Sequence, residues 1–222
     1  MSAAPVRPDQ TVDEAPAGPR VSGEAPRVLI IGCGALAREL LALTRTLPGV
    51  KVVCIDAALH MRPERIADAV AGRIERARAD YGNDTRIFVA YADCGTRGAL
   101  DDVLVRYGVE RIGGAHCFEF YAGAATYAEL QDAEPGTFYL TDFLARQFES
   151  LIIAGLGLDR HPELRDAYFG NYSRLLYLAQ TDDADLTTRA EAAAVRLGLA
   201  FERRSTGYGE LTASIQSAAG AA

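Results

Sequence analysis

Residues 28–40 read VLIIGCGALAREL, an apolar run that ends in a glycine turn and continues into a helical pattern. A short run of Val, Leu and Ile before such a turn predicts a buried strand of a parallel sheet. The same alternation of apolar runs and helical segments continues along the chain. The predicted strands are 27–32, 50–55, 86–91, 110–115, 150–155, 174–179 and, as a seventh, 199–204. The pattern therefore predicts an α/β fold: a single doubly wound, mainly parallel, Rossmann-like sheet with helices on both faces.

Helical periodicity and helix-start signals fill the segments between these strands. The predicted helices are 35–46, 63–79, 97–107, 122–132, 141–148, 162–168 and 184–197. Residues 1–26 are dominated by Ala, Pro, Gly and charges, which predicts a disordered leader. Residues 27–211 are then a single α/β domain, and we expect 212–222 to be a flexible tail.

Composition excludes several classes of function. The chain has 222 residues, of which 49% are hydrophobic and 24% charged, as expected for one globular domain. A net charge of −7 without a basic cluster argues against a nucleic-acid partner. No apolar run approaches the roughly 20 residues of a membrane span, and no secretory signal is recognisable, so we expect a cytoplasmic protein. Cytoplasmic thiols stay reduced, so the four cysteines are expected to be metal ligands, nucleophiles or core residues.

Most of the Cys and His residues follow predicted strands, at the edge where parallel α/β sheets bind ligands. These residues are Cys33, His60, Cys94, His116, Cys117 and His161. Three thiolates and an imidazole would suit a zinc site of the Cys₃His type. Because His116 and Cys117 are adjacent, their side chains point to opposite sides of an extended backbone, and we do not expect the two to bind the same ion. Glu119 follows Cys117 by two residues and is a candidate acid or base.

The opening stretch also supports a competing interpretation. Gly32, Gly34 and Ala37 match the G-x-G-x-x-A fingerprint of dinucleotide-binding folds, and Asp56 ends the next strand where such folds bind ribose. An NAD(P)-dependent oxidoreductase is therefore an alternative. Cys33 lies in the middle of the phosphate turn, where dinucleotide binding needs no thiol. The residues alone leave the metal site and the dinucleotide site both open.

Seven motifs in order resemble a bacterial and archaeal family of unknown function, often encoded beside corrinoid proteins and cobalamin-dependent methyltransferases. The motifs are GCGALAREL, LHMRPERI, YADCGTRG, HCFEFYAG, PGTFYLTDFLARQFE, GLGLDRHPEL and FGNYSRLLYLAQT, within residues 27–211. The resemblance implies that Cys33, His60, Cys94 and Cys117 are the metal ligands. An acid replaces His116 in archaeal members, and the glycine before Cys33 is absent there, which favours a metal over a dinucleotide.

The resemblance and the rim residues together lead to one expectation of function. We expect a zinc-dependent methyltransferase, with zinc or iron as the metal, or an obligatory subunit of a corrinoid-linked methyl-transfer system in one-carbon metabolism. His116, Glu119 and His161 are the candidate proton-transfer residues. The expected partners are a small methylated substrate and a corrinoid protein or methyltransferase, since the chain has no Asp-x-His-x-x-Gly corrinoid motif of its own. A non-catalytic protein that handles metal or corrinoid is a further alternative, and association into a homo-oligomer stays open.

Overall fold

The computed structural model describes residues 25–220 and contains two parallel sheets surrounded by helices. The strands are β1 (Val28–Cys33), β2 (Val50–Ile55), β3 (Arg86–Ala90), β4 (Glu110–Arg111), β5 (Thr137–Thr141), β6 (Arg174–Ala179) and β7 (Ala200–Ser205). The helices are α1 (Ala37–Thr44), α2 (Ile66–Tyr81), α3 (Ala99–Tyr107), α4 (Cys117–Ala122), α5 (Ala124–Ala133), α6 (Asp142–Gln147), α7 (Arg165–Phe169), α8 (Ala184–Leu197) and α9 (Glu210–Ala218). Short 3₁₀ helices cover Gly34–Leu36, Ala57–Met61, Pro63–Arg65 and Pro162–Leu164, and a π-helix covers Phe148–Ala154.

The first sheet has the strand order β2-β1-β3-β4, and all its pairs are parallel. Every residue of β1 is buried, which explains the uninterrupted apolar run that defines this strand. The chain runs from β1 to β2 on one side and then crosses to β3 on the other. The gap between the carboxyl ends of β1 and β3 is therefore the topological switch point, where open α/β sheets form their ligand crevices.

The second sheet has the order β5-β6-β7 and is also parallel. One face of β6 joins the core of the first sheet, because Leu176 and Leu178 pack in the same apolar cluster as Ile215 of α9. The other face packs through Tyr177 against a second cluster that includes Leu186 and the alanines of α8. The two sheets thus share one apolar core and do not form a single continuous sheet.

The parallel α/β fold and all seven predicted helices are confirmed, but four details differ. The strands form two sheets where a single sheet was expected. The predicted strand at 150–155 lies largely in the π-helix Phe148–Ala154, since a short apolar run such as LIIA does not distinguish a strand from a buried helix. The strand β5, which was not predicted, pairs with β6 instead of the segment 150–155. The strand expected at 110–115 covers only Glu110–Arg111.

The expected flexible tail is wrong for residues 212–218, which belong to α9. Leu211, Ile215 and Ala218 of this helix are buried at helical spacing, so tertiary packing holds the segment in place. Most of the predicted leader, residues 1–24, and residues 221–222 lie outside the described part of the chain.

Candidate functional site

Cys33 is the last residue of β1 and caps the 3₁₀ turn that leads into α1. Its sulfur accepts a hydrogen bond from the backbone N–H of Ala35 at 3.4 Å, and the residue is only 3% exposed. Burial raises the pKa of the Cys33 thiol despite hydrogen bonds that favour the thiolate. The thiol is therefore held, in its protonated form, at the start of a helical turn.

His60 lies in the 3₁₀ helix Ala57–Met61 that follows β2. Its Nδ1 is 3.6 Å from the Cys33 sulfur and 3.2 Å from the Ala57 carbonyl oxygen, and its ring stacks on Tyr91 at 6.1 Å between centroids. The residue as a whole is exposed, so His60 lies on the solvent side of the buried Cys33 thiol. Desolvation lowers the pKa of His60, but hydrogen bonding to Cys94 and Ala57 outweighs it and raises the pKa overall.

Cys94 is held in place by the preceding carboxylate. Asp93 accepts hydrogen bonds from the backbone N–H groups of Gly95 (3.1 Å), Arg97 (3.1 Å) and Gly98 (3.0 Å) and from the Thr96 hydroxyl (2.7 Å). Partial desolvation would raise the pKa of Asp93, but these hydrogen bonds lower it overall. The turn places Cys94 at a φ of 49°, a left-handed conformation that is uncommon outside glycine.

The same turn is fastened to the segment that carries Cys117. The Cys94 N–H donates to the Ala115 carbonyl at 2.8 Å, and the Asp93 N–H donates to the Gly114 carbonyl at 3.1 Å. Cys117 begins α4, and burial together with the neighbouring thiols raises its pKa well above the ordinary value. Backbone hydrogen bonds therefore bring together two cysteines that are 23 positions apart in the sequence.

These segments enclose a single small cavity of about 10 Å³. Its lining includes Cys33, His60, Tyr91, Cys94 and Cys117, with apolar contacts from Ala35, Leu36, Ala92 and Phe120. The Tyr91 hydroxyl is buried and makes no hydrogen bond of normal geometry within residues 25–220, although it is close enough to the Cys33 sulfur to lower the pKa of that thiol. In this arrangement no three Cys, His, Asp or Glu side chains of the described chain are already grouped as a metal-binding set. The cavity is thus lined by three thiols, an imidazole and the phenol of Tyr91, which are not arranged as a complete coordination sphere.

The three candidate proton-transfer residues lie outside this cavity. His116 is exposed at the start of α4, with its ring edge-on to Phe118. Glu119 accepts a hydrogen bond from the Ala115 N–H at 2.7 Å and so supports the loop before Cys117. The side chain of His161 is 60% exposed and lies 3.2 Å from the Glu163 carboxylate. The structure therefore brings the four proposed metal ligands to one cavity and leaves these three residues around it or away from it.

The residues of the dinucleotide fingerprint each have a local structural role. A Cβ on Gly32 would lie 2.3 Å from the Leu40 side chain, and one on Gly34 would lie 2.7 Å from the Ile55 carbonyl oxygen. The Asp56 carboxylate accepts from the Ala58 N–H at 2.9 Å and caps the 3₁₀ helix that carries His60. Close packing against β2 is thus enough to require Gly34, and the buried Leu40 side chain leaves little room at Gly32.

Tyr91 is the site residue that the sequence analysis did not single out. It follows β3, where it continues the buried strand, and its aromatic side chain there is typical of a core residue. The sheet register offers the missing signal: Gly32 pairs with Ala90, so the next residues along the two strands are Cys33 and Tyr91.

A comparison with protein families adds one finding. Residues 54–215 match the model of a family described as "Protein of unknown function (DUF1638)". The chain belongs to the DUF1638 family. The matched DUF1638 region contains His60, Cys94 and Cys117, whereas Cys33 precedes it. Neither the curated proteins nor the solved structures gave a significant match. Among the helices within residues 25–220, none has the length and apolar character needed to cross a bilayer.

Proposed function

We propose that the cavity is a thiolate-rich metal site of a zinc-dependent methyltransferase, or of an obligatory subunit in a corrinoid-linked methyl-transfer system. One observation carries the metal site. Cys33, His60, Cys94 and Cys117 come from four separate segments and line the same cavity at the switch point of the first sheet. These are three of the four cysteines and one of the three histidines of the chain.

The donor set and one donor–donor distance fit a tetrahedral ion. A zinc ion with ordinary Zn–S and Zn–N bonds places a sulfur and a nitrogen about 3.6 Å apart. Cys33 Sγ and His60 Nδ1 are separated by 3.6 Å. The cavity, at about 10 Å³, has room for an ion or a single water-sized atom.

Metal binding at this site requires the thiols to lose their protons. Burial keeps the pKa values of Cys33 and Cys117 raised in the protein without metal. A cation reverses this preference because a coordinated sulfur is a thiolate. Deprotonation and small side-chain rotations would then draw the sulfurs together around the ion. Without metal, the four side chains line one cavity but are not yet arranged as a coordination sphere.

The methyl-transfer role rests on the sequence resemblance together with the open side of this site. A bound zinc ion would supply Lewis acidity, or it would keep a thiol acceptor deprotonated. Cys33, Cys94 and Cys117 would hold the ion from the protein side. His60 lies on the solvent side, as either the fourth ligand or the one that a small methylated substrate displaces, since a catalytic zinc keeps one position open. The methyl group would come from or go to a corrinoid on a partner protein.

The oxidoreductase alternative has less support. The Cys33 sulfur takes the Ala35 N–H of the glycine turn, a group that a pyrophosphate would need. Asp56 uses its carboxylate to cap the next 3₁₀ helix.

The proposal is tested by elemental analysis of untagged protein purified without oxygen, beside the variants Cys94→Ser and Cys54→Ser. Cys54 is partly buried in β2 and does not line the cavity, so it is the matched control. We expect about one zinc or iron per chain in wild type and in Cys54→Ser, and a loss of most of it in Cys94→Ser. Metal-free wild type that is fully folded would contradict the site.

Turnover is tested separately with methylcobalamin and a small thiol. We expect demethylation of the corrinoid to depend on the metal and to be lost in Cys94→Ser. A protein that binds metal but shows no turnover with free or protein-bound methylcorrinoid would be a non-catalytic handling protein.

A further inference from the structure

Tyr91 combines complete burial with an unpaired hydroxyl. The residue is 0% exposed, and its hydroxyl makes only a weak contact with the Cys33 sulfur and no hydrogen bond of normal geometry within the described residues. An unpaired buried hydroxyl costs stability, whereas phenylalanine would fill the same space without that cost. The hydroxyl therefore requires an explanation other than packing.

The surroundings of the hydroxyl are sulfur and imidazole. Tyr91 lies beside Cys33 on the neighbouring strand. Its ring stacks on the His60 ring at an interplanar angle of 22°. Tyr91 also lines the cavity itself, together with Cys94 and Cys117. The phenol is thus a hydrogen-bond donor beside a cluster of prospective thiolate acceptors.

We propose that Tyr91 is a positioning residue that donates a hydrogen bond from its hydroxyl to the Cys33 thiolate when the cavity holds a metal ion. This inference rests on the proposed metal site. A neutral thiol is a weak acceptor, so the hydroxyl has no good partner in the metal-free protein. A thiolate accepts a much stronger, charge-assisted hydrogen bond. The poorly paired hydroxyl destabilises the metal-free protein, and its hydrogen bond to the Cys33 thiolate stabilises the metal-bound protein.

Tyr139 shows that a missing hydrogen-bond partner alone does not identify a functional hydroxyl. Tyr139 is also buried, at 5% exposure, and its hydroxyl also lacks a partner. Its ring packs on Phe118 and Tyr127 at 5.4 and 5.2 Å between centroids, and it does not line the cavity. Tyr139 therefore serves as a matched control: the same deletion of a hydroxyl in the same core, without a thiol cluster beside it.

The experiment compares wild type, Tyr91→Phe and Tyr139→Phe, each loaded with Co²⁺ for spectroscopy and titrated with Zn²⁺ against a chelator. Hydrogen bonds to a thiolate lower the energy of its sulfur electrons. Loss of the Tyr91 bond is therefore expected to move the sulfur-to-cobalt charge-transfer band to longer wavelength. We also expect the Zn²⁺ dissociation constant to rise about tenfold or more, the usual effect of losing a partner of a metal ligand. Tyr139→Phe should match wild type in both measurements.

The possible outcomes separate this inference from the proposed function. If wild type binds neither Co²⁺ nor Zn²⁺, both fail. If wild type binds metal and Tyr91→Phe has the same spectrum and affinity as wild type, the metal site stands and the role of Tyr91 is refuted. The metal-free Tyr91→Phe protein keeps the ring that stacks on His60. Its thermal midpoint is expected to equal or exceed that of wild type, so a change in metal binding is not a consequence of unfolding.

Discussion

Both sheets end in a buried polar cluster at their carboxyl edge, and the two clusters differ in how far their polar groups are paired. At the second sheet, Asp142 is 0% exposed and accepts hydrogen bonds from the Tyr177 hydroxyl (2.7 Å), the Gln180 N–H (3.0 Å) and the Thr181 hydroxyl (2.5 Å). Its own N–H donates to the Gln180 side chain at 2.7 Å. At the first sheet, the cavity around Cys33 leaves the Tyr91 hydroxyl unpaired.

The difference separates a structural cluster from a candidate functional one. A fully paired buried network fixes the local fold and has no capacity left for a ligand. The cavity of the first sheet combines an incompletely paired hydroxyl and a left-handed Cys94, two features that cost free energy, with three buried or partly buried thiols. We interpret the first cluster as a site and the second as a joint between strands β5 and β6.

The largest expected effect is at the paired cluster. Asp142→Ala removes the acceptor of two buried donors and one partly buried donor, which should lower the free energy of unfolding by about 3 kcal/mol. Metal content per folded chain should be unchanged. Urea unfolding measures the free energy of unfolding, and elemental analysis measures the metal content. Asp183→Ala is the control: it removes an exposed helix cap of α8 and should cost about 1 kcal/mol. A loss of metal in folded Asp142→Ala would contradict the division into two independent clusters.

Gly34→Ala tests whether the glycine turn is needed for packing. The new Cβ would lie 2.7 Å from the Ile55 carbonyl oxygen, a backbone atom that cannot move aside alone. We expect a loss of about 1–3 kcal/mol in the free energy of unfolding. Gly72→Ala in α2 meets nothing within 4 Å and should be neutral or stabilising by up to about 1 kcal/mol. Equal stability of the two variants in thermal unfolding would remove the packing explanation of Gly34.

Asp93→Ala removes the carboxylate that holds Cys94 in its left-handed conformation. The freed N–H groups of this partly exposed turn can bind water, so the loss of stability should be only about 1–2 kcal/mol. The Zn²⁺ dissociation constant should rise about tenfold because Cys94 is no longer prearranged. Asp185→Ala breaks an exposed ion pair with Arg189, away from the cavity, and should leave Zn²⁺ binding unchanged. If the two variants bind Zn²⁺ equally well, Asp93 has no part in positioning Cys94.

The smallest expected effect is the pH dependence of the metal-free protein. The pKa values of Cys33 and Cys117 are raised in the folded state, so their contribution to stability is complete below the unfolded value of about 8.5. It is lost as the pH rises through the higher folded values. Thermal midpoints should therefore fall above about pH 8.5, and less so in Cys117→Ala. With zinc bound, the thermal midpoint should instead rise with pH between about pH 6 and 8, because zinc binding releases protons from the thiols. A metal-free midpoint that stays constant to pH 10.5 would show that these thiols are not desolvated.

The sequence predicted the parts of this site that depend on strand ends. Cys33, Cys94 and Cys117 follow predicted strands, and the carboxyl-edge rule was sufficient to place them together. The strand at Thr137–Thr141 was missed because a short segment with two threonines and two aromatics lacks the aliphatic run of β1. The role proposed for Tyr91 was not predictable, because a missing hydrogen-bond partner is a property of the folded state. His161 also follows an apolar run, but that run is a π-helix and its loop leads to the surface.

X-ray absorption at the zinc edge, on protein loaded with one equivalent of Zn²⁺, tests whether sulfur from Cys33, Cys94 and Cys117 binds a metal ion between β1 and β3. We expect a shell of about three sulfur atoms at about 2.3 Å with a nitrogen at about 2.0 Å, and fewer sulfurs in Cys94→Ser. A shell of only nitrogen and oxygen, or a spectrum that Cys94→Ser leaves unchanged, would contradict this metal site.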